Sequence, residues 1–136
     1  MRAVLDPNVI ISGVLSAGSA AAQTLTALDR GEFELIASDT LLEELGRALA
    51  YPKLRSRIEA DDAASVVHWL SQTATLVPDP GVDPPVHSSD PGDDYLVALA
   101  SVHRAALVSG DKHLLGLAGE IPVFSPREFL ALLAGT

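Results

Sequence analysis

The chain has 136 residues, of which 48% are hydrophobic, so it is long and apolar enough for one domain with a core and is not a disordered chain. It has no cysteine, which excludes disulfides and thiolate metal sites and suits a reducing cytoplasm. Its net charge of −9, from 18 acidic and 9 basic residues, argues against nucleic-acid contact through a basic surface, unless converging acids hold divalent cations or the partner is a basic protein.

No apolar run approaches the ~18–20 residues of a membrane span. The opening "MRAVLDPNVI" carries an aspartate inside its apolar run, the wrong pattern for a signal peptide. No membrane association is therefore expected.

In chain order, "RAVLD" reads as a short buried strand closed by Asp6. "GSAAAQTLTALDRGEF" reads as a helix, with Ser19 as N-cap and Gly31 as stop. "EFELIA" is a second strand. "SDTLLEELGRALAYP" is a helix whose start signal is a capping box of Thr40 and Glu43, and Pro52 ends the run. "EADDAASVVHWLSQTA" is a further helix, "ATLVP" a third strand, and Pro78 to Gly92 a proline-rich loop. "DDYLVALASVHR" is a helix, "AALVS" a fourth strand, "IPVF" a fifth, and "PREFLALLA" a closing helix. Short, uniformly apolar strands alternating with helices predict an α/β fold: three layers, α/β/α, around a mainly parallel sheet of about five strands. No repeat or boundary divides residues 1–136, so a single domain is expected.

Parallel α/β sheets bind ligands outside the carboxyl ends of their strands. Asp6 ends the first strand and Asp111 lies just past the fourth, so both belong on that edge. Gly110 is expected to let the backbone turn there. At ~100° per residue, Leu41, Leu42, Leu45, Ala48 and Leu49 form one helical stripe. Glu43 points away from it and pairs on paper with Arg47. Glu44 sits at the stripe's edge without an obvious partner, a costly place for a carboxylate unless a site uses it. In "SSDPGDDYLVALA", Asp90 fits N-cap, Pro91 fits N1 and Asp93 suits the first turn, which is ordinary helix-start chemistry. The doubled Asp93–Asp94 also furnishes oxygen ligands. Asp6, Glu44, Asp93 and Asp111, from four separate elements, cannot all stay ionised at close range without cations, and an oxygen-only set favours Mg²⁺ or Mn²⁺. Capping and ligation both remain open for Asp90 and Asp111.

At these residues the chain resembles the PIN-domain family, and within it the toxin components of toxin–antitoxin pairs. "VLDPNVIISGVL" resembles the family's opening strand and aspartate, "SDTLLEELGRALAYPKL" the segment with its glutamate, "DPGDDYLVALA" its aspartate-led helix, and "LVSGDKHLL" its last acidic stretch. The resemblance covers nearly the whole chain. It implies that Asp6, Glu44, Asp93 and Asp111 are metal-binding, catalytic acids, with Asn8 and Ser109 in support; Asp90 and Asp94, at the helix start, are taken as further supporting residues. It further implies a Mg²⁺- or Mn²⁺-dependent ribonuclease using metal-activated water, an RNA substrate, an antitoxin partner and a homodimer. Pro7 departs from the family's usual threonine or serine after the first aspartate, which removes a hydroxyl and an N–H beside Asp6.

Lys112 is a candidate phosphate contact or a solvated surface lysine. Arg47, Lys53, Arg55 and Arg57 cluster after the glutamate helix as an RNA-backbone patch or a solvated helix end. Apolar "FLALLA" and "VVHWL" are candidate shared surfaces. Two alternatives stand beside the nuclease: a PIN-like module that binds RNA or protein without cutting, and a receiver-type phosphoacceptor domain.

Overall fold

The computed structural model describes residues 1–135. Five parallel strands form one sheet: β1 (Arg2–Leu5), β2 (Glu34–Ala37), β3 (Thr75–Leu76), β4 (Ala106–Val108) and β5 (Val123–Phe124). Their order across the sheet is β3-β2-β1-β4-β5. The helices are α1 (Pro7–Leu15), α2 (Ala20–Asp29), α3 (Asp39–Leu49), α4 (Pro52–Arg55), α5 (Ala60–Thr73), α6 (Asp94–Val102), α7 (Lys112–Leu115) and α8 (Pro126–Ala134). They flank the sheet in the expected three-layer arrangement. All five strands expected from sequence are present.

The centre of the sheet is fully covered. Ala3, Val4 and Leu5 of β1 and Leu107 and Val108 of β4 are without solvent exposure. Each of these buried Val and Leu side chains contributes roughly 1.5–3 kcal/mol to folding. Helix α6, apolar along Leu96–Ala100, packs against β1, β4 and β2. At the margin β3 is a short, exposed edge strand. Phe33, just before β2, meets Phe129 of α8 edge-to-face at 5.0 Å.

The sequence reading omitted helix α1. Asp6 is its N-cap and Pro7 its N1 residue, so the proline stands where an N–H has no intrahelical partner to lose. Gly13 lets α1 approach α2: a Cβ there would lie 2.6 Å from Leu25 Cδ1 and 3.0 Å from Ala21 O. Helix α2 follows its N-cap Ser19 as expected and terminates ahead of Gly31, which adopts φ +73°.

The cap of α3 corrects the expected Thr40–Glu43 box. Ser38 caps the helix, accepting the Leu41 N–H at 3.3 Å, and the Thr40 hydroxyl instead donates to Asp79 Oδ2 at 2.8 Å. That bond pins the start of the proline-rich loop. A capping box does form at α8, between Ser125 and Glu128. Pro52 does not merely end α3; it opens the short helix α4. Among the described residues no single helix is long and apolar enough to cross a membrane.

Candidate functional site

Sheet topology fixes where the acids meet. The chain passes from β1 outward to β2 and β3, then returns to place β4 on the other side of β1. The crevice of such a sheet lies where the strand order reverses, here between β1 and β4. Leu5 pairs with Val108, and the Asp6 N–H donates to Val108 O at 2.9 Å. Asp6 and the segment after β4 therefore leave the sheet side by side.

Asp6 is 3% exposed and rigidly held. Its Oδ1 accepts the Asn8 N–H at 3.0 Å and its Oδ2 accepts the Ser109 hydroxyl at 2.8 Å. Burial raises its pKa above the ordinary value, these two hydrogen bonds oppose the rise, and the charge of Asp111 adds to it. Ser109, fully buried, also accepts the Asp111 N–H at 3.0 Å. One hydroxyl thus fixes both acids. Asp111 caps α7, its Oδ1 accepting the His113 N–H at 2.8 Å.

Asp93 closes a short 3-10 helix, Pro91–Asp93, that delivers the chain into α6. Its Oδ2 is buried and has no hydrogen-bond partner among the described residues. Burial, then the charges of Asp6, Asp90 and Asp111, push its pKa up to about 6, with His113 acting the other way. An unsatisfied carboxylate oxygen facing other carboxylates is costly in the fold, and functional sites are where such arrangements recur.

The neighbouring acids are engaged elsewhere. Asp90 caps the 3-10 helix as expected, accepting the Gly92 N–H at 3.0 Å. Asp94 accepts the Ser88 N–H at 2.8 Å and lies 2.8 Å from His87 Nδ1. The His87 contact holds Asp94 below the usual carboxylate range and raises the His87 pKa.

Glu44 corrects two expectations. It is not partnerless: Arg47 bonds it, so the Glu43–Arg47 pair is not formed. Its charge acts on Tyr95, which also feels Asp6, Asp93 and Asp79 and whose hydroxyl is held in its neutral form, first by burial and then by these charges. Lys112 is exposed beside Asp111, and Lys53 and Arg55 lie on α4. Gly110 has no need of left-handed backbone; among the described glycines only Gly18 and Gly31 do.

The sequence reading did not assign Tyr95, His113 or Ser89. Ser89 Oγ lies 2.6 Å from His113 Nδ1, linking the proline-rich loop to α7. Only the position of Tyr95, directly after the acid pair, was a legible signal.

Taken together, the structure sets Asp6, Asp93 and Asp111 in mutual electrostatic contact. The donor chemistry, all oxygen with one orphaned buried atom, fits a hard divalent cation. Among the described residues no three His, Asp or Glu side chains already converge as a metal-holding group.

A family model of the PIN domain matches residues 2–113. The chain belongs to the PIN-domain family. The uncharacterized protein MJ1680 of Methanocaldococcus jannaschii is 22% identical over 140 residues, covering 96% of this chain and 90% of that protein. The crystal structure of PAE2754 from Pyrobaculum aerophilum shares the fold, with a TM-score of 0.67, 16% identity and coverage of 100% of this chain and 91% of that one. So does VapBC2 from Rickettsia felis bound to a DNA fragment from their promoter, with a TM-score of 0.62, 12% identity, and 90% and 97% coverage. FitAcB from Neisseria gonorrhoeae aligns with a TM-score of 0.57, 20% identity, and 92% and 98% coverage. The strand order differs from the 2-1-3-4-5 order of flavodoxin-like receivers, so the receiver-type alternative is set aside.

Proposed function

We propose that this PIN-domain protein is a Mg²⁺- or Mn²⁺-dependent ribonuclease, built as a single domain over residues 1–136. The observation that carries this reading is the buried, partnerless Asp93 Oδ2 in the electrostatic field of Asp6 and Asp111 at the sheet's switch point. Asp6, Asp93 and Asp111 would hold the cation, with Glu44 reaching in from α3 once it exchanges Arg47 for the site. A bound divalent ion supplies charge that offsets the acids' repulsion and acidifies water for attack on a phosphodiester.

The chain's own residues have distinct tasks in this scheme. Asn8 and Ser109 orient the Asp6 carboxylate, and Ser109 also fixes the backbone of Asp111. Asp90 shapes the turn that presents Asp93, and Asp94 anchors that turn to the loop through Ser88 and His87. Lys112, Lys53 and Arg55 are exposed or half-exposed basic side chains that would meet RNA phosphates, joined by Arg47 when Glu44 releases it.

The likeness to VapBC2 and FitAcB supports a toxin with a cognate antitoxin partner, and the same reading takes the protein to work in the cytoplasm as a homodimer. The apolar surface offered for pairing includes Leu132 on α8, which is 36% exposed.

The test is cleavage of RNA by the purified chain in Mn²⁺, in EDTA, and by the Asp6→Asn and Asp93→Asn variants. Cleavage that needs Mn²⁺ and both aspartates supports the assignment. Cleavage indifferent to both substitutions would remove the site. Tight metal-free RNA binding without cleavage would make the protein a binding module.

A further inference from the structure

Beside the aspartates lies a cavity of about 340 Å³ that the proposed chemistry does not use. It opens between α1, α2, the turn after β4 and the start of α8, and is lined by Asn8, Val9, Ser12, Ala21, Gly110, Asp111 and Pro126. It adjoins the acids directly: Asp111 is part of its wall, and the Asn8 N–H is bonded to Asp6.

The lining has two characters. Val9, Ala21 and Pro126 are buried or half-buried and give apolar walls. Asn8 and Ser12, one turn apart on α1, are exposed at the rim, and neither the Asn8 carboxamide nor the Ser12 hydroxyl makes a hydrogen bond among the described residues. That is unlike Thr24, Ser65 and Ser71, whose hydroxyls bond carbonyls of the preceding helical turn. Apolar walls with a few unspent donors and acceptors are the composition of a small-molecule pocket.

We infer that this cavity is a subsite for one unpaired nucleobase of the RNA, next to the scissile phosphate, with Asn8 and Ser12 reading the base edge. This deepens the ribonuclease proposal and rests on it. The charge balance favours such a contact. A chain at −9 draws less of its RNA affinity from phosphate neutralisation, so uncharged contacts with the base carry more of the recognition. A base inside a duplex has no free edge to offer such a pocket, so the substrate is single-stranded at this position.

Two measurements test this. The first needs neither metal nor cleavage. Each of the four ribonucleosides, which lack phosphate, is titrated to millimolar concentration into the ¹⁵N-labelled protein in EDTA. Shifts of the Asn8, Ser12 and Gly110 amides that are lost in Ser12→Leu support the subsite. No shift with any nucleoside, or shifts with N-acetyl amino-acid amides only, would overturn it. The second maps cut sites in a randomised single-stranded RNA with Mn²⁺. A base preference at one position beside the cut, falling at least about tenfold in Ser12→Leu and less in Ser12→Ala, is expected. Identical profiles in all three proteins would overturn the subsite while leaving the nuclease intact. Absence of cleavage by the wild type would overturn the ribonuclease proposal and, with it, the base-reading role; nucleoside shifts would then report a pocket of another function.

Discussion

The Ser109 hydroxyl donates to Asp6 Oδ2 at 2.8 Å, joining residues 103 apart in sequence, and accepts the Asp111 N–H at 3.0 Å. This one buried oxygen sets the spacing of the first and last acids. Ser109→Ala leaves a buried carboxylate oxygen and an N–H without partners, a loss of about 1–3 kcal/mol in folding stability. It should also weaken Mn²⁺ binding by roughly 10–100-fold, as losing support behind a metal ligand does. Ser109→Thr keeps the hydroxyl and should retain most of the affinity. Denaturant titration and calorimetry check both; unchanged Mn²⁺ affinity in Ser109→Ala would show that the bond is not needed.

Asp93 gives the metal-free protein a specific pH dependence. Its carboxyl holds a proton up to about 6 in the fold against an ordinary value of 3.8. The folded state thus binds more protons than the unfolded one between these values. Its contribution to stability is full below the lower value and is lost as pH rises through about 6. With solvent screening of this partly exposed group, the change is about 1–2 kcal/mol. Asp6 shifts in the same direction. In EDTA, Asp93 should therefore lower the melting temperature at pH 7.5 relative to pH 4.5. Asp93→Asn should raise it at pH 7.5 and flatten the dependence. A variant less stable than wild type at pH 7.5 would contradict this.

Glu44 and Arg47 form an exposed pair, worth about 0–1 kcal/mol to the fold. Arg47→Ala should barely change stability and should leave Mn²⁺ affinity equal or tighter, because the competing cation is gone. Glu44→Gln should weaken Mn²⁺ binding less than Asp93→Asn does, since Glu44 already has Arg47 as a partner whereas Asp93 Oδ2 has none among the described residues. Calorimetric titration of the three variants decides the order.

Gly13 tests the seating of the helix that Asp6 caps. In Gly13→Ala the new Cβ meets Leu25 Cδ1 and the Ala21 carbonyl. Overpacking of about 1–3 kcal/mol outweighs the gain of up to ~1 kcal/mol in helix propensity. A net loss in melting temperature is expected, and a gain would mean that α1 and α2 separate at little cost.

The strands were legible because β1, β2 and β4 are apolar runs ended by polar residues, and a buried parallel strand has little alternative. Helix α1 was not, although its start has the same Asp–Pro signal that was recognised at Asp90–Pro91. Val9 to Ile11 continue the apolar character of β1, and no 3.6-residue polar face separates strand from helix there. The α3 cap failed for a different reason. Ser38 and Thr40 both suit an N-cap, and the choice depends on Asp79, about forty residues away, which takes the Thr40 hydroxyl. For Glu44 the missed partner is local: its apparent isolation on a helical wheel ignored Arg47 one turn on. The strand order and the cavity beside Asn8 depend on how elements pack, which no local pattern encodes.

The central claim is most directly tested by the rate at which the wild type and Asp93→Asn cut a single-stranded RNA in Mn²⁺. The account predicts cleavage by the wild type that stops in EDTA and falls at least about 100-fold in the variant, as expected when a group that positions the reacting centre is lost. Equal rates in the two proteins would contradict it.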